Sequence, residues 1–120
     1  MIDVKWDPRE TRAKWVKEAS KWMDFRVFGS LRPGTGVFVF AEDDETVEYV
    51  GISPSEEHPV KSISLALAHG KGGTASSVLF LYTESDRSSS DFFKFLVDKY
   101  NPPYNNCLPK MKEIEDRRIG

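Results

Sequence analysis

The chain has one cysteine, Cys107, and only two histidines, His58 and His69, in 120 residues. A lone cysteine cannot close an internal disulfide, and no Cys or His spacing suits zinc. A reducing, cytoplasmic location is therefore the expectation. Neither histidine is near Cys107 in sequence, so the thiol reads as a small, partly buried hydrophobe rather than a nucleophile. No apolar run reaches the roughly 20 residues of a membrane-spanning helix. The polar start Met1-Ile2-Asp3-Val4-Lys5 does not resemble a signal peptide. Repeats and low-complexity tracts are also missing. What remains is enough chain for one domain with one core, of ordinary globular composition.

Net charge is small, at −2, but the charged residues are unevenly placed. Residues 36–106 carry five basic side chains against eleven acidic ones, a balance of −6, whereas residues 1–35 carry eight against five, or +3. Residues 107–120 add +1. Affinity for a polyanion would have to come from the N-terminal segment, because the centre repels phosphate.

Asp7-Pro8-Arg9-Glu10 has the form of a capped helix start. Trp15, Ala19, Trp22 and Met23 follow at helical spacing, so an N-terminal helix is predicted there. Arg12, Lys14, Lys17 and Lys21 would decorate its other face, either as a solvated surface or as a contact for nucleic acid. Leu31–Gly36 is a loop by its Pro and Gly content. Val37–Phe40 and Val47–Ile52 are predicted to pair as an antiparallel hairpin around Glu42-Asp43-Asp44-Glu45. Those four acids lack the alternating spacing and distal Glu of a calcium loop, so they read as a solvated tip. A helix is expected from Pro59 to about His69, with Val60, Ile63 and Leu67 inward and Gly70 as its stop. Lys71–Thr74 is a connector. Ser77–Tyr82 is a buried strand. A second helix begins at Ser88-Ser89-Ser90-Asp91, carries Phe92, Phe93, Leu96, Val97 and Tyr100 on a broad face, and ends at Asn101-Pro102-Pro103. A short charged helix is expected within 109–118. The fold class is α/β of the α+β type, organised as an N-terminal helix and loop (1–35), a central domain (36–106) and a charged tail (107–120).

The order strand, strand, helix, strand, helix, then Pro103-Tyr104-Asn105, resembles the GIY-YIG nuclease domain over roughly residues 34–106. Gly36-Val37-Phe38 stands for the first signature tripeptide and Tyr49-Val50-Gly51 for the second, with Ser53 as the small polar residue after it. The resemblance implies a small three-stranded antiparallel sheet flanked by helices. It also implies a phosphodiesterase in which a helix carboxylate holds Mg or Mn, a helix Arg stabilises charge, and tyrosines position water.

Carried over residue by residue, the resemblance keeps Tyr49 and Asn105. The first-motif tyrosine is Phe38, the Arg position falls near Glu57, and the metal-binding Glu position falls on Phe93. Asp91 and Asp98 lie roughly 160° and 140° around a helix from Phe93, and Glu84 and Asp86 are more distant substitutes. No metal ligand is assigned, and no cofactor is expected unless a nuclease mechanism persists. The resemblance therefore implies a pseudo-enzyme, a nucleic-acid-associated or protein-interaction module that keeps Tyr49, His69 and Asn105 as candidate site residues. The alternative is a diverged metal-dependent endonuclease using Tyr49, His58 or His69, Glu57 and Asp91. His69, at a helix end, also suits a simple capping role. A third reading is a convergent interaction domain, because Phe92, Phe93 and Phe95 cannot all point inward.

Overall fold

The computed structural model describes residues 4–105. Its centre is the predicted hairpin, β3 (Gly36–Ala41) and β4 (Val47–Ser53), joined through the acidic turn. Every residue of β3 is buried, as its unbroken apolar run requires of a strand covered on both faces. β5 (Ser77–Thr83) pairs antiparallel with the other side of β3, placing Val39 opposite Leu79 and Phe38 opposite Phe80.

Two-residue alternation sorts these side chains onto opposite faces. Phe38, Phe40, Val78, Phe80 and Tyr82 pack with Ile63 and Ala66 of helix α1 (Pro59–Ala68). Val37, Val39, Val50, Leu79 and Leu81 pack with Phe92, Leu96 and Tyr100 of helix α2 (Asp86–Tyr100) and with Trp6. The result is a sheet between one helix and a second helix joined by the N-terminal segment. None of the described helices is long and apolar enough to cross a membrane.

The helix ends follow local chemistry. Pro59 occupies the first turn of α1, where its missing N–H costs nothing, and Gly70 follows the helix with φ of +76°. α2 starts earlier than its Ser run suggests, because Ser85 caps it by accepting from the Ser88 amide. Asn101 ends it in the left-handed conformation.

The N-terminal helix is the main correction. Asp7 does cap, accepting from the Arg9 amide at 2.9 Å, but only a 3₁₀ turn, Pro8–Arg12, forms. The chain then extends into β1 (Val16–Ala19) and β2 (Met23–Asp24), both antiparallel to β5. The sheet thus has five strands rather than three, in the order β1-β5-β3-β4 with β2 also on β5. The reason is non-local. A helix over these residues would leave the outer backbone groups of β5 unpaired, whereas extended chain satisfies them. Trp15, in the turn before β1, and Trp22, in the link before β2, still reach the α2-side core. The expected tail helix within 109–118, and Cys107, lie outside the described residues.

A buried cluster around Tyr100 helps fasten the N-terminal segment to α2. Trp6 stacks on Tyr100 with ring centroids 5.5 Å apart. The Tyr100 hydroxyl accepts from the Asp7 amide at 2.9 Å and donates to the Glu10 carboxylate at 2.8 Å. Burial pushes this hydroxyl's pKa up, so it remains a donor. Lys99 completes the cluster, 2.6 Å from the same Glu10 oxygen. Tyr100→Phe leaves the Asp7 amide without its acceptor and removes one donor from buried Glu10. Stability is expected to fall by about 1–3 kcal/mol, read as a lower urea midpoint at unchanged m-value. An unaltered midpoint would show that the cluster fastens nothing.

Candidate functional site

The two signature glycines are set by packing. A Cβ at Gly51 would land on the Phe38 ring across the β3–β4 pair, and one at Gly36 would meet the Leu81 carbonyl oxygen. Phe38 is 2% exposed, so the ring at the first-motif position is a core element lying over a glycine. Tyr49 lies on the same face, with its ring centroid 5.6 Å from Phe40 and 6.2 Å from Phe38. Burial raises the pKa of its hydroxyl, which keeps it a protonated phenol at neutral pH. Lys71 Nζ sits 6.0 Å from the ring centroid.

Asn105 reaches β4 from the closing segment. Its carboxamide accepts from the Val50 amide and donates to the Val50 carbonyl, both at 2.8 Å. One side chain thereby imitates a neighbouring strand. The Tyr104 amide continues the pairing to Glu48 O at 3.1 Å, and the Tyr104 ring lies where a side chain at Gly73 would be. Tyr49 and Asn105 are thus neighbours through Val50. His69 is exposed after the end of α1, and its ring has no hydrogen-bond, ion-pair or ring partner among the described residues. His58 caps the other end, accepting from the Val60 amide at 3.1 Å.

The positions that the nuclease resemblance points to are otherwise engaged. Glu57 accepts a 2.6 Å bond from Ser62, whose own hydroxyl then accepts from Ser53 at 2.8 Å. Phe93 is half-buried against the α2-side core, on the opposite face of the sheet from Phe38 and Tyr49. Asp91 and Asp98 are exposed on α2. Asp86 is engaged by three donors: it accepts from Ser55 N at 2.8 Å, Ser55 Oγ at 2.7 Å and Thr35 Oγ1 at 2.7 Å. Among the described residues no group of three His, Cys, Asp or Glu side chains is arranged to hold a metal. A phenyl ring at position 93 supplies no oxygen donor to a hard cation, so these residues do not fit Mg or Mn.

Sequence reasoning missed the hydroxyl network that ties the strand ends to α2. Thr35 Oγ1 lies 3.0 Å from Ser89 Oγ, which lies 2.7 Å from Thr83 Oγ1. No linear signal marks it, since Thr35 and Ser89 meet only once α2 packs against the sheet.

The predicted basic residues are all exposed but share no helix face. Arg12 ends the 3₁₀ turn, Lys14 follows it with Nζ 5.0 Å from the Trp15 ring centroid, Lys17 is in β1, and Lys21 links β1 to β2. None of the four forms an ion pair with a described residue, whereas nearby Arg9, Arg26 and Arg32 are paired with Asp7, Asp24 and Glu18. Lys17 and Lys21 line adjoining clefts of about 300 and 360 Å³ that share Glu18, Arg32 and Tyr82.

No protein-family model, curated protein or solved structure matches the chain.

Two outcomes test these roles. Asn105→Ala strips both partners from Val50 at the sheet edge and should cost about 1–3 kcal/mol in chemical denaturation. A loss of function at unchanged stability would instead assign Asn105 to a site. The hydrogen bonds from Thr35 and Ser55 hold the Asp86 carboxyl below its ordinary pKa. Its contribution to stability is therefore full above the unfolded Asp value of about 3.9 and is lost as pH falls through the lower folded value. Acid unfolding of Asp86→Asn should be correspondingly less steep; an identical acid limb would contradict the assignment.

Proposed function

We propose that the chain is a non-catalytic GIY-YIG-like domain that associates with nucleic acid along its β1 edge. The observation that carries this reading is the sorting of charge across the sheet. Arg12, Lys14, Lys17 and Lys21, without acidic partners among the described residues, follow one another beside β1. Glu42, Asp43, Asp44, Glu45 and Glu48 belong to the hairpin turn and to β4, the opposite edge strand. A polyanion is drawn to the first edge and repelled from the second. The absence of catalysis is supported by how the inherited positions are used: Phe38 is core, Phe93 packs on the core, Glu57 bonds Ser62, and Asn105 completes β4.

Such binding rests on phosphate contacts and counterion release. With four cations engaged, log K should fall against log salt with a slope of about −3 to −4 on duplex DNA. Fluorescence anisotropy with labelled DNA and RNA checks this. The Lys14→Glu/Lys17→Glu double variant should lower affinity for every sequence and flatten the salt slope. Absence of binding to any nucleic acid at low salt overturns the reading in favour of a protein-binding module. Incubation with branched, single-stranded and duplex DNA plus Mg or Mn should give no cleavage; products that track the purified protein would favour the endonuclease alternative.

A further inference from the structure

Among the described residues Phe95 is the one aromatic side chain that is markedly exposed, at 39%, on the solvent side of α2. The other exposed large hydrophobics, Val27, Ile52 and Leu65, have no ring to offer. Phe95 is not isolated. Its centroid lies 5.2 Å from that of Trp15, which is itself stacked on buried Phe92 at 5.3 Å. The core therefore holds this aromatic step rigid from below.

Cations border the step. Lys14 Nζ is 5.0 Å from the Trp15 centroid, and Arg12 and Lys17 lie on the same stretch of chain. Lys99 Nζ is 5.8 Å from the Phe95 centroid, although Glu10 already shares its charge. A shallow depression of about 470 Å³ is lined by Phe95, Asp98 and Lys99. Asp98 repels phosphate, so a bound backbone would run on the Lys14 side with a base turned toward the ring.

We infer that the β1 edge binds single-stranded nucleic acid in preference to duplex, with an unpaired base stacked on Phe95 and the backbone beside Arg12, Lys14 and Lys17. This rests on the nucleic-acid reading given above. Cations alone attract any polyphosphate, but an exposed ring beside them adds affinity only where a base face is free. In a duplex the base faces are stacked on one another and out of reach. A rigid aromatic bordered by cations is the arrangement that distinguishes the two ligands.

The test compares oligo(dT) with a duplex of equal length, by anisotropy at matched salt, for the whole chain and three variants. Circular dichroism checks that each variant is folded. The single strand should bind more tightly. Phe95→Ala should weaken single-strand binding by about 5- to 100-fold and leave duplex binding unchanged, and Asp98→Asn should strengthen single-strand binding. The Lys14→Glu/Lys17→Glu variant should weaken both. If that double variant weakens binding while Phe95→Ala changes nothing, the stacking role is overturned and the electrostatic edge stands. If neither ligand binds at low salt, both readings fail. If light scattering shows that Phe95→Ala converts a dimer to a monomer without altering single-strand binding, the ring belongs to a contact between copies and the inference is likewise overturned.

Discussion

The structure depends on the burial of β3. This strand is paired on both edges and covered on both faces, so each of its residues is fixed by four directions of contact. Its alternation sends Phe38 and Phe40 to α1 and Val37 and Val39 to α2. A shift of one residue would exchange the two sets and place rings where valines fit, which is why the register is unambiguous. The glycines of both tripeptides follow from the same packing, since Phe38 lies over Gly51 and Gly36 approaches the Leu81 carbonyl.

With the centre fixed, both sides of the sheet need covering, and the chain uses different means for each. On the β5 side, β1 and β2 supply extended backbone. On the β4 side, Asn105 and Tyr104 pair with Val50 and Glu48, and Val4 accepts from the Val47 amide. Asn105 thus acts where a further strand would lie. Both terminal segments of the described chain are held by the sheet they protect, and the Glu10–Tyr100–Lys99 cluster adds a buried anchor on the α2 face.

This economy bears on function. A side chain already paired in the fold is poorly placed to exchange protons or hold a cation. Tyr49, Asn105, Glu57 and Asp86 are all occupied by packing or hydrogen bonds. His69, Asp91 and Asp98 are exposed but separate from one another, whereas the surface cations beside β1 lie near the exposed Phe95 ring. Those cations and that ring are the groups on which the proposed nucleic-acid binding rests.

The hairpin, α1, β5 and most of α2 were legible in the sequence because each is specified locally, by an unbroken apolar run, a proline at a first helical turn or a glycine after the last. The charge asymmetry between residues 1–35 and the centre was equally plain. The N-terminal region was not. Trp15, Ala19, Trp22 and Met23 satisfy helical spacing, yet the unpaired flank of β5, some 60 residues away, converts them to strand and connection. Asn105 could be picked out as a candidate, but its bond to Val50, 55 residues distant, could not. Sequence by itself determined the elements whose partners are their own neighbours and the sign of charge along the chain. Tertiary structure alone decided which hydroxyls and carboxylates are used up and which ring faces solvent, because those depend on backbone groups and surfaces that exist only once the sheet has formed.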